Sequence, residues 1–232
     1  MQKILITCEH GGNQLPKEYA GHFASYQALL RTHRGWDIGA LDLYYKFAAA
    51  GADAAFFSET SRLLVELNRS RHHRNFFSDI TRKLPEPERQ AIIEAHYQPY
   101  RQQVENTIAG FLAQNHSVLH LSVHSFTPEL NGEIRNADIG LLYDPQRKTE
   151  KEFCARWKQE LAILDPQLIV RFNYPYRGTA DGFTKHLRKL FPDEKYGGIE
   201  LEVNQKYALQ GGNTWEKLQL DLVESFRKAA KV

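Results

Sequence analysis

The sequence predicts an α/β fold, a three-layer α/β/α sandwich around a mostly parallel mixed sheet. Short apolar segments alternate with amphipathic helical segments over most of the chain, without internal repeats or low-complexity stretches. The chain has 232 residues, of which 42% are hydrophobic, so it can bury a core without disulfides. This length fits one domain, and we expect residues 1–232 to form a single unit.

The first half of the chain shows both strand and helix patterns. Apolar runs predict three strands, at residues 3–8, 54–57 and 61–67. Helical periodicity predicts two helices, at residues 37–50 and 86–114. Asp37 is a candidate N-cap of the first helix, and Pro99 should break the second near Gln98. The polar, basic residues 68–83 predict a loop that borders a site as a lid.

The second half continues the alternation. Apolar runs predict four strands, at residues 117–123, 138–143, 168–172 and 198–203. Two helices are predicted, at residues 148–163 and 213–230, and Asn213 is a candidate N-cap of the last one. Residues 173–197 contain three glycines and two prolines, which predicts an irregular segment that lines a site.

Composition excludes several classes of partner. The 30 Lys and Arg residues nearly balance 28 Asp and Glu residues, unlike the basic surface of a nucleic-acid-binding protein or a polybasic membrane contact. No apolar run approaches the roughly 20 residues of a membrane span, and the start does not resemble a signal peptide. Cys8 and Cys154 are too few for a disulfide framework, so we expect a cytoplasmic protein. The sequence leaves the oligomeric state open.

Polar residues follow the predicted strands where ligands bind in such sheets, beyond the strands' carboxyl ends. His10 and His124 both lie just past a strand, and neighbouring strands would bring them together. Catalytic zinc takes three nitrogen or oxygen ligands and keeps one open position. Asp37 is the preferred third ligand and Glu9 the alternative, since Glu9 and His10 should point to opposite sides. Hydrogen bonding of both histidines to loop backbone is the non-metal alternative.

Two carboxylates on one predicted strand, Glu200 and Glu202, point to the same face. Carboxylates are almost never buried unpaired, so we expect Glu200 to pair with an arginine or lysine. The position of Glu202 at the strand end makes it a candidate general base beside a zinc-bound water. An exposed sheet face would be the structural alternative for both.

Four arginines are expected near the same rim, where a guanidinium can bind a substrate carboxylate through two hydrogen bonds: Arg62, Arg69, Arg135 and Arg177. Arg69 and Arg135 are the strongest candidates, and Asn68 joins them as a substrate-binding candidate. His186 could stabilise an oxyanion. The remaining histidines have no partner pattern and are expected at the surface or as hydrogen-bonded core groups: His22, His33, His72, His73, His96, His116 and His120.

The common nucleotide-binding and serine-hydrolase fingerprints GxxxxGK[ST], GxGxxG and GxSxG are missing, as is HExxH. Seven segments in order nevertheless resemble the N-formylglutamate amidohydrolase family: TCEHGGNQLP, GWDIGALDLY, SRLLVELNR, SVHSF, GEIRNADIGLLYD, DGFTKHL and GIELEVNQKY. The family is similar to zinc carboxypeptidases and aminoacylases. The resemblance implies a zinc-peptidase-like α/β/α fold and a zinc hydrolase of a small N-acyl amino acid.

Residue by residue, the resemblance implies His10, Asp37 and His124 as ligands of Zn²⁺ and Glu202 as general base. The chain has HGGN where relatives tend to have HSGT, so N-formyl-L-glutamate is only one candidate substrate. A zinc peptidase or an acylase of other specificity is an alternative. A metal-free module that binds small carboxylates is another.

Overall fold

A six-stranded sheet lies at the centre of the computed structural model, which describes residues 1–231. Its strands are β1 (Gln2–Cys8), β2 (Ala54–Phe57), β3 (Ser117–Phe126), β6 (Ile139–Leu142), β7 (Val170–Phe172) and β8 (Tyr196–Asn204). A separate hairpin comprises β4 (Glu129–Leu130) and β5 (Glu133–Ile134). The order in the large sheet is β2-β1-β3-β8-β6-β7, and only β6 and β8 pair antiparallel. The mostly parallel mixed sheet is therefore confirmed.

The helices join these strands. They are α1 (Lys17–Ala20), α2 (Gln27–Leu30), α3 (Ala40–Ala49), α4 (Glu86–Ile92), α5 (Gln98–Ala113), α6 (Lys148–Leu164), α7 (Phe183–Leu190), α8 (Lys206–Gln210) and α9 (Gly212–Ala230). Short 3₁₀ segments lie at Gly21–Tyr26 and Thr81–Lys83. Among the described residues, none of these helices combines the length and apolar character needed to cross a bilayer.

Helices cover both faces of the sheet. One face packs against α3, α6 and α9, and Trp157 and Phe226 are central to that apolar core. The other face packs against α5 and α7 through a smaller core that includes Val104 and Phe183. The α/β/α sandwich is thus confirmed.

Alternation along the central strands puts polar groups on the sheet face that is covered by α5 and α7. In β3, Leu121 and Val123 point into the larger core, whereas Ser122 and His124 point away from it. The same two-residue period places Glu200 and Glu202 of β8 on that second face. Since β1, β3 and β8 are parallel neighbours, their carboxyl ends meet at one edge of the sheet.

The apolar run 61–67 is not a strand, contrary to the sequence prediction. Its backbone turns, because the Leu64 N–H donates to the Ser61 carbonyl (2.9 Å) and the Glu66 N–H donates to that of Phe76 (3.0 Å). Its apolar side chains fill a third core. A buried turn and a buried strand share the same apolar pattern, which is why the sequence did not separate them.

Both predicted N-caps are wrong. Helix α3 begins only at Ala40, after Gly39 with φ of +82°, so Asp37 lies outside it. Helix α9 begins at Gly212, so Asn213 lies inside the first turn. The Pro99 break is confirmed in position: residues Ile93–Tyr97 form a π-helical turn between α4 and α5.

Two further segments are more regular than the sequence predicts. Residues 173–197 contain the helix α7, whose Phe183 and Leu187 lie one turn apart and pack against the sheet. Residues 17–30 form short helical turns that the sequence pattern did not reveal.

Candidate metal centre and active site

Three side chains that the sequence singled out converge at the carboxyl edge of the sheet. Asp37 Oδ2 lies 3.3 Å from His10 Nδ1 and 2.9 Å from His124 Nδ1. One donor atom from each residue lies within 4.8 Å of the other two. All three residues are buried, with exposures of 2–3%. Asp37 reaches the site because its backbone N–H donates to the His10 carbonyl (3.0 Å), which ties the loop before α3 to the end of β1.

Glu9, the alternative third ligand, lies behind His124 instead of beside the ligand atoms. Its Oε2 is 3.2 Å from His124 Nε2, the ring nitrogen that faces away from Asp37. The same carboxylate accepts hydrogen bonds from the hydroxyls of Ser122 (2.6 Å) and Tyr100 (3.0 Å). Glu9 thus contacts His124 on the side away from Asp37 and does not lie among the candidate metal ligands.

Glu66 holds the other histidine and was missed by the sequence analysis. Its Oε1 accepts a hydrogen bond from His10 Nε2. The signal that could have found it is a carboxylate within the apolar run SRLLVEL, since a buried carboxylate needs a partner.

Arg62 is a counter-ion of the site's carboxylates. Its Nη1 donates to Asp37 Oδ1 (3.0 Å) and its Nε donates to Glu66 Oε2 (2.9 Å). The guanidinium lines the cavity, but its hydrogen-bonding groups are already engaged by these two carboxylates. Arg62 was predicted to bind a substrate carboxylate, but in the structure it pairs with Asp37 and Glu66 instead.

These contacts shift the pKa values of the buried groups. Burial alone would raise the pKa of Asp37, but the histidines and Arg62 outweigh it and hold that pKa well below its usual range. The pKa of Glu66 is likewise lowered despite burial, chiefly by Arg62 and then His10. Burial would lower the pKa of His124, but its bonds to Asp37 and Glu9 raise it well above the ordinary value.

The ligand cluster opens into a cavity of about 270 Å³. Its lining includes His10, Asp37, Arg62, Asn68, Arg69, His124, Ser125, Tyr176, Arg177, Ala180, Asp181, Glu200 and Glu202. The cavity is large enough for a small molecule and is bordered by both cations and carboxylates.

Glu202 is the carboxylate without a full set of partners. It is 5% exposed, and its Oε2 has no hydrogen-bond partner among the described residues. Burial raises its pKa to about 8, with smaller contributions from the charges of Asp37 and Glu200. A carboxyl group with a pKa near neutrality can both accept and return a proton.

Glu200 does not pair with an arginine or lysine, contrary to the prediction. Its Oε1 accepts a hydrogen bond from the Thr184 hydroxyl of α7. The two carboxylates on this face therefore differ, since Glu200 is held by a hydroxyl and Glu202 presents a free oxygen.

The other predicted binding residues fall into two groups. Asn68, Arg69 and Arg177 line the cavity. Asn68 is fixed because its Oδ1 accepts the Phe183 N–H (2.6 Å), and Arg69 donates to the Asp181 carbonyl. Arg177 is exposed, and its side chain makes no hydrogen bond or ion pair with the described residues.

Arg135 does not line the cavity. Its Nη1 donates to the Tyr176 hydroxyl (3.1 Å), and its guanidinium lies 5.1 Å from the centre of the same ring. Arg135 therefore supports Tyr176, which does line the cavity and was not predicted.

His186 also lies outside this cavity, with its Nε2 3.0 Å from Glu105 Oε1 on α5. The expected oxyanion role is not supported by this position. Among the unassigned histidines, His120 is a hydrogen-bonded core group, between the Thr7 hydroxyl and the Tyr196 hydroxyl (2.8 Å each).

The loop at 68–83 borders the site through Asn68 and Arg69. Its middle is anchored, because Phe76 is 3% exposed and packs edge-on against Tyr97 with ring centres 4.9 Å apart. This anchor argues against movement of the whole loop as a lid.

The donor set fits a catalytic zinc ion. Two imidazole nitrogens and one carboxylate oxygen are the ligand types that such ions take in hydrolases. Glu202 lines the same cavity and has one oxygen without a hydrogen-bond partner among the described residues. A carboxyl group in this place could transfer the proton of a zinc-bound water.

Comparisons with known proteins show what the whole chain is similar to. The chain is similar to a gene product of Agrobacterium tumefaciens, with 26% identity over 99% of this chain and 90% of that one and a TM-score of 0.80. It shares the fold of an N-formylglutamate amidohydrolase from Ralstonia eutropha, with 19% identity over 100% of this chain and 95% of that one and a TM-score of 0.75. No protein with a curated description matches the chain.

The sequence profile described as N-formylglutamate amidohydrolase matches residues 2–209, nearly the whole chain. The match spans the candidate ligands, Glu202 and the cavity arginines alike. The chain therefore belongs to the N-formylglutamate amidohydrolase family of amide-hydrolysing enzymes.

Proposed function

We propose that this protein is a zinc-dependent hydrolase of the amide bond in a small N-acyl amino acid, with N-formyl-L-glutamate as the first substrate to test. The observation that carries the proposal is the convergence of His10, Asp37 and His124 in one cavity with the unpartnered oxygen of Glu202. The family membership supports the amide bond as the target.

His10, Asp37 and His124 would hold the ion. When bound, zinc supplies a Lewis acid for the amide carbonyl and lowers the pKa of a coordinated water to about 7. The buried position of the three ligands keeps their orientation fixed, and Arg62 keeps the second oxygen of Asp37 occupied.

Glu202 would move the proton. Its carboxylate accepts a proton from the attacking water, which adds to the amide carbon, and returns a proton to the nitrogen as the carbon–nitrogen bond breaks. For N-formyl-L-glutamate the products are formate and L-glutamate. A nearby cation favours the ionised carboxylate, so a bound divalent ion would bring the pKa of Glu202 below the value near 8 that burial gives it.

Arg69 and Arg177 are the cations available to the substrate carboxylates. Both line the cavity, and Arg177 is not engaged by another described residue. A guanidinium binds a carboxylate through two parallel hydrogen bonds, which would orient the amino-acid part of the substrate. Asn68 can add a polar contact from the same wall.

The experiment combines metal analysis with a substrate panel. Purified wild-type protein and His124→Ala are dialysed and analysed for bound metal, then assayed on N-formyl, N-acetyl and N-succinyl amino acids and on a dipeptide. We expect about one zinc per wild-type chain, little in the variant, and turnover of the N-formyl or another N-acyl compound. Turnover of the dipeptide alone would favour a peptidase.

A wild-type protein that binds no zinc and hydrolyses none of these compounds would overturn the proposal. Affinity for dicarboxylates under the same conditions would then support the metal-free binding module. A cytoplasmic location stays a prediction.

A further inference from the structure

Each candidate ligand histidine is held from behind by a buried carboxylate. His10 and His124 both direct Nδ1 towards Asp37 Oδ2. The opposite ring nitrogen of His10, Nε2, contacts Glu66. In His124 the same nitrogen lies 3.2 Å from Glu9 Oε2 and 2.8 Å from the Ser122 hydroxyl, which itself donates to Glu9. The centres of the two imidazole rings lie 5.1 Å apart.

We propose that Glu9 and Glu66 are positioning residues that set the affinity of the centre for a divalent cation, each through the histidine that it holds. The inference rests on the proposed metal-dependent function and deepens it. Neither carboxylate is expected to touch the substrate, because neither lines the cavity that contains the ligand atoms.

The first argument is the position of the imidazole proton. A histidine that binds a cation through Nδ1 must carry its proton on Nε2. Glu66 can accept that hydrogen from His10, and Glu9 lies 3.2 Å from the same nitrogen of His124, so both carboxylates favour the tautomer that leaves Nδ1 free. This leaves the Nδ1 lone pair of each histidine directed at the point where Asp37 also presents an oxygen. Without these carboxylates the rings could turn or change tautomer.

The second argument is the burial of Glu9. Its side chain is fully buried, and no lysine or arginine among the described residues forms an ion pair with it. Its partners are the Ser122 and Tyr100 hydroxyls and His124. A buried carboxylate is destabilising unless positive charge offsets it. For Glu9 that charge comes through His124, either from the protonated ring or from a cation on its Nδ1.

The third argument is the balance of buried charge. Around the cluster, Asp37, Glu66 and Glu9 are buried carboxylates, and Arg62 is the one guanidinium paired with any of them among the described residues. When a cation on Nδ1 keeps both histidines neutral, three carboxylate charges and one guanidinium charge sum to −2, which a divalent cation balances. Glu202 stands apart from this count as the proton carrier.

The experiment measures zinc affinity directly. Metal-free wild type, Glu9→Gln and Glu66→Gln are titrated with zinc in competition with a chromophoric chelator. Glutamine keeps the size and an acceptor oxygen but removes the charge. Loss of such a supporting group lowers metal affinity by about 10- to 100-fold, and we expect each variant to fall in that range.

Glu105→Gln is the matched control. It removes the carboxylate from His186, a histidine outside the ligand cluster, and should leave zinc affinity unchanged. Cobalt(II) gives a second readout, because its visible spectrum reports the ligand geometry; it should change in Glu9→Gln and Glu66→Gln and stay as in wild type in the control.

Zinc affinity within twofold of wild type for either variant would overturn the assignment for that carboxylate. If wild type itself bound no zinc, the proposed function would fail, and the two failures are thus distinguishable. Should Glu9→Gln not fold, Tyr100→Phe removes a donor to Glu9 Oε1, leaves the contacts of His124 in place and keeps the charge. That variant should lower zinc affinity by a few-fold, and an unchanged affinity would count against Glu9.

Discussion

Gly140 of β6 lies opposite Glu202 of β8 in the antiparallel pair that joins these strands. A Cβ atom at Gly140 would lie 1.8 Å from the Tyr174 carbonyl oxygen and 3.2 Å from the Cβ of Glu202. Glycine at this position therefore lets the backbone before Pro175 approach β6 directly beside the strand that carries the proposed general base.

Gly140→Ala should displace the Tyr174 backbone or Glu202. Overpacking of this kind costs about 1–3 kcal/mol, so we expect a lower melting temperature and a fall in kcat of at least about tenfold. The control is Gly110→Ala in α5, where a Cβ meets no atom within 4 Å and alanine favours the helix. Wild-type kcat and stability in Gly140→Ala would show that the close approach is not required.

Glu202→Gln should keep its metal and lose most of its turnover. Removal of a general base typically costs about 10²–10⁴-fold in rate. Glu200→Gln is the matched comparison, because it lies on the same face of β8 but is held by Thr184, and it should lose far less. Steady-state kinetics with elemental analysis of both variants separates loss of catalysis from loss of metal. Comparable losses in the two variants would count against the assignment of Glu202.

Arg177→Gln should weaken binding of substrates that carry a side-chain carboxylate. Hydrogen bonds to charged groups contribute roughly 1.5–3 kcal/mol, so kcat/KM for N-formyl-L-glutamate should fall about 10- to 100-fold. N-formyl-L-norvaline, which lacks the side-chain carboxylate, should be affected little. Arg171→Gln, an exposed arginine that does not line the cavity, is the control. Equal losses for both substrates would mean that Arg177 does not recognise this carboxylate.

Removal of the metal should lower thermal stability. A ligand at 100 times its Kd stabilises the folded state by about 2.7 kcal/mol, which for a domain of this size shifts the melting temperature by about 5–10 °C. Chelator-treated protein should therefore melt earlier and recover on addition of zinc. His124→Ala should show no zinc-dependent shift in differential scanning fluorimetry, and a full shift in that variant would exclude His124 as a ligand.

Stability should fall in mild acid because of His120. Burial lowers the pKa of this imidazole to about 4 from an ordinary value of 6.5. The unfolded chain therefore binds a proton between these values while the folded protein does not, so the free energy of unfolding decreases as pH falls. The change between pH 7 and pH 5 is about 2 kcal/mol. Urea unfolding of His120→Gln in chelator should show a shallower pH dependence than wild type; an equal slope would assign the effect to other groups.

The sequence was sufficient to predict the sheet and the residues that approach one another at its edge. Apolar runs identified β1, β3 and β8, and the strand-end rule placed His10 and His124 at one edge. Asp37 was predicted to join them because it was expected to begin the helix that follows a loop back to the sheet edge. Asp37 does reach the site, although it does not cap that helix.

The roles that the sequence did not reveal are those that depend on contacts between distant parts of the chain. Glu66 lies in an apolar run, and only the folded chain shows that the run turns beneath His10. Arg62 and Arg135 were predicted to bind substrate because a guanidinium can hold a carboxylate. In the structure Arg62 instead donates to Asp37, and Arg135 donates to Tyr176. Guanidinium partners cannot be assigned from spacing, because a flexible side chain reaches several candidates.

The π-helical turn at Ile93–Tyr97 determines the direction in which the side chains of the following helix, α5, point. There the Gln98 N–H donates to the carbonyl of Ile93, five residues earlier, which adds one residue to the turn. Since each residue advances an α-helix by about 100°, deletion of one residue here would rotate Tyr100 by about a quarter turn or more, away from Glu9. The extra residue in this turn thus determines that Tyr100 is the side chain that contacts Glu9, although the two residues are about 90 positions apart in the sequence.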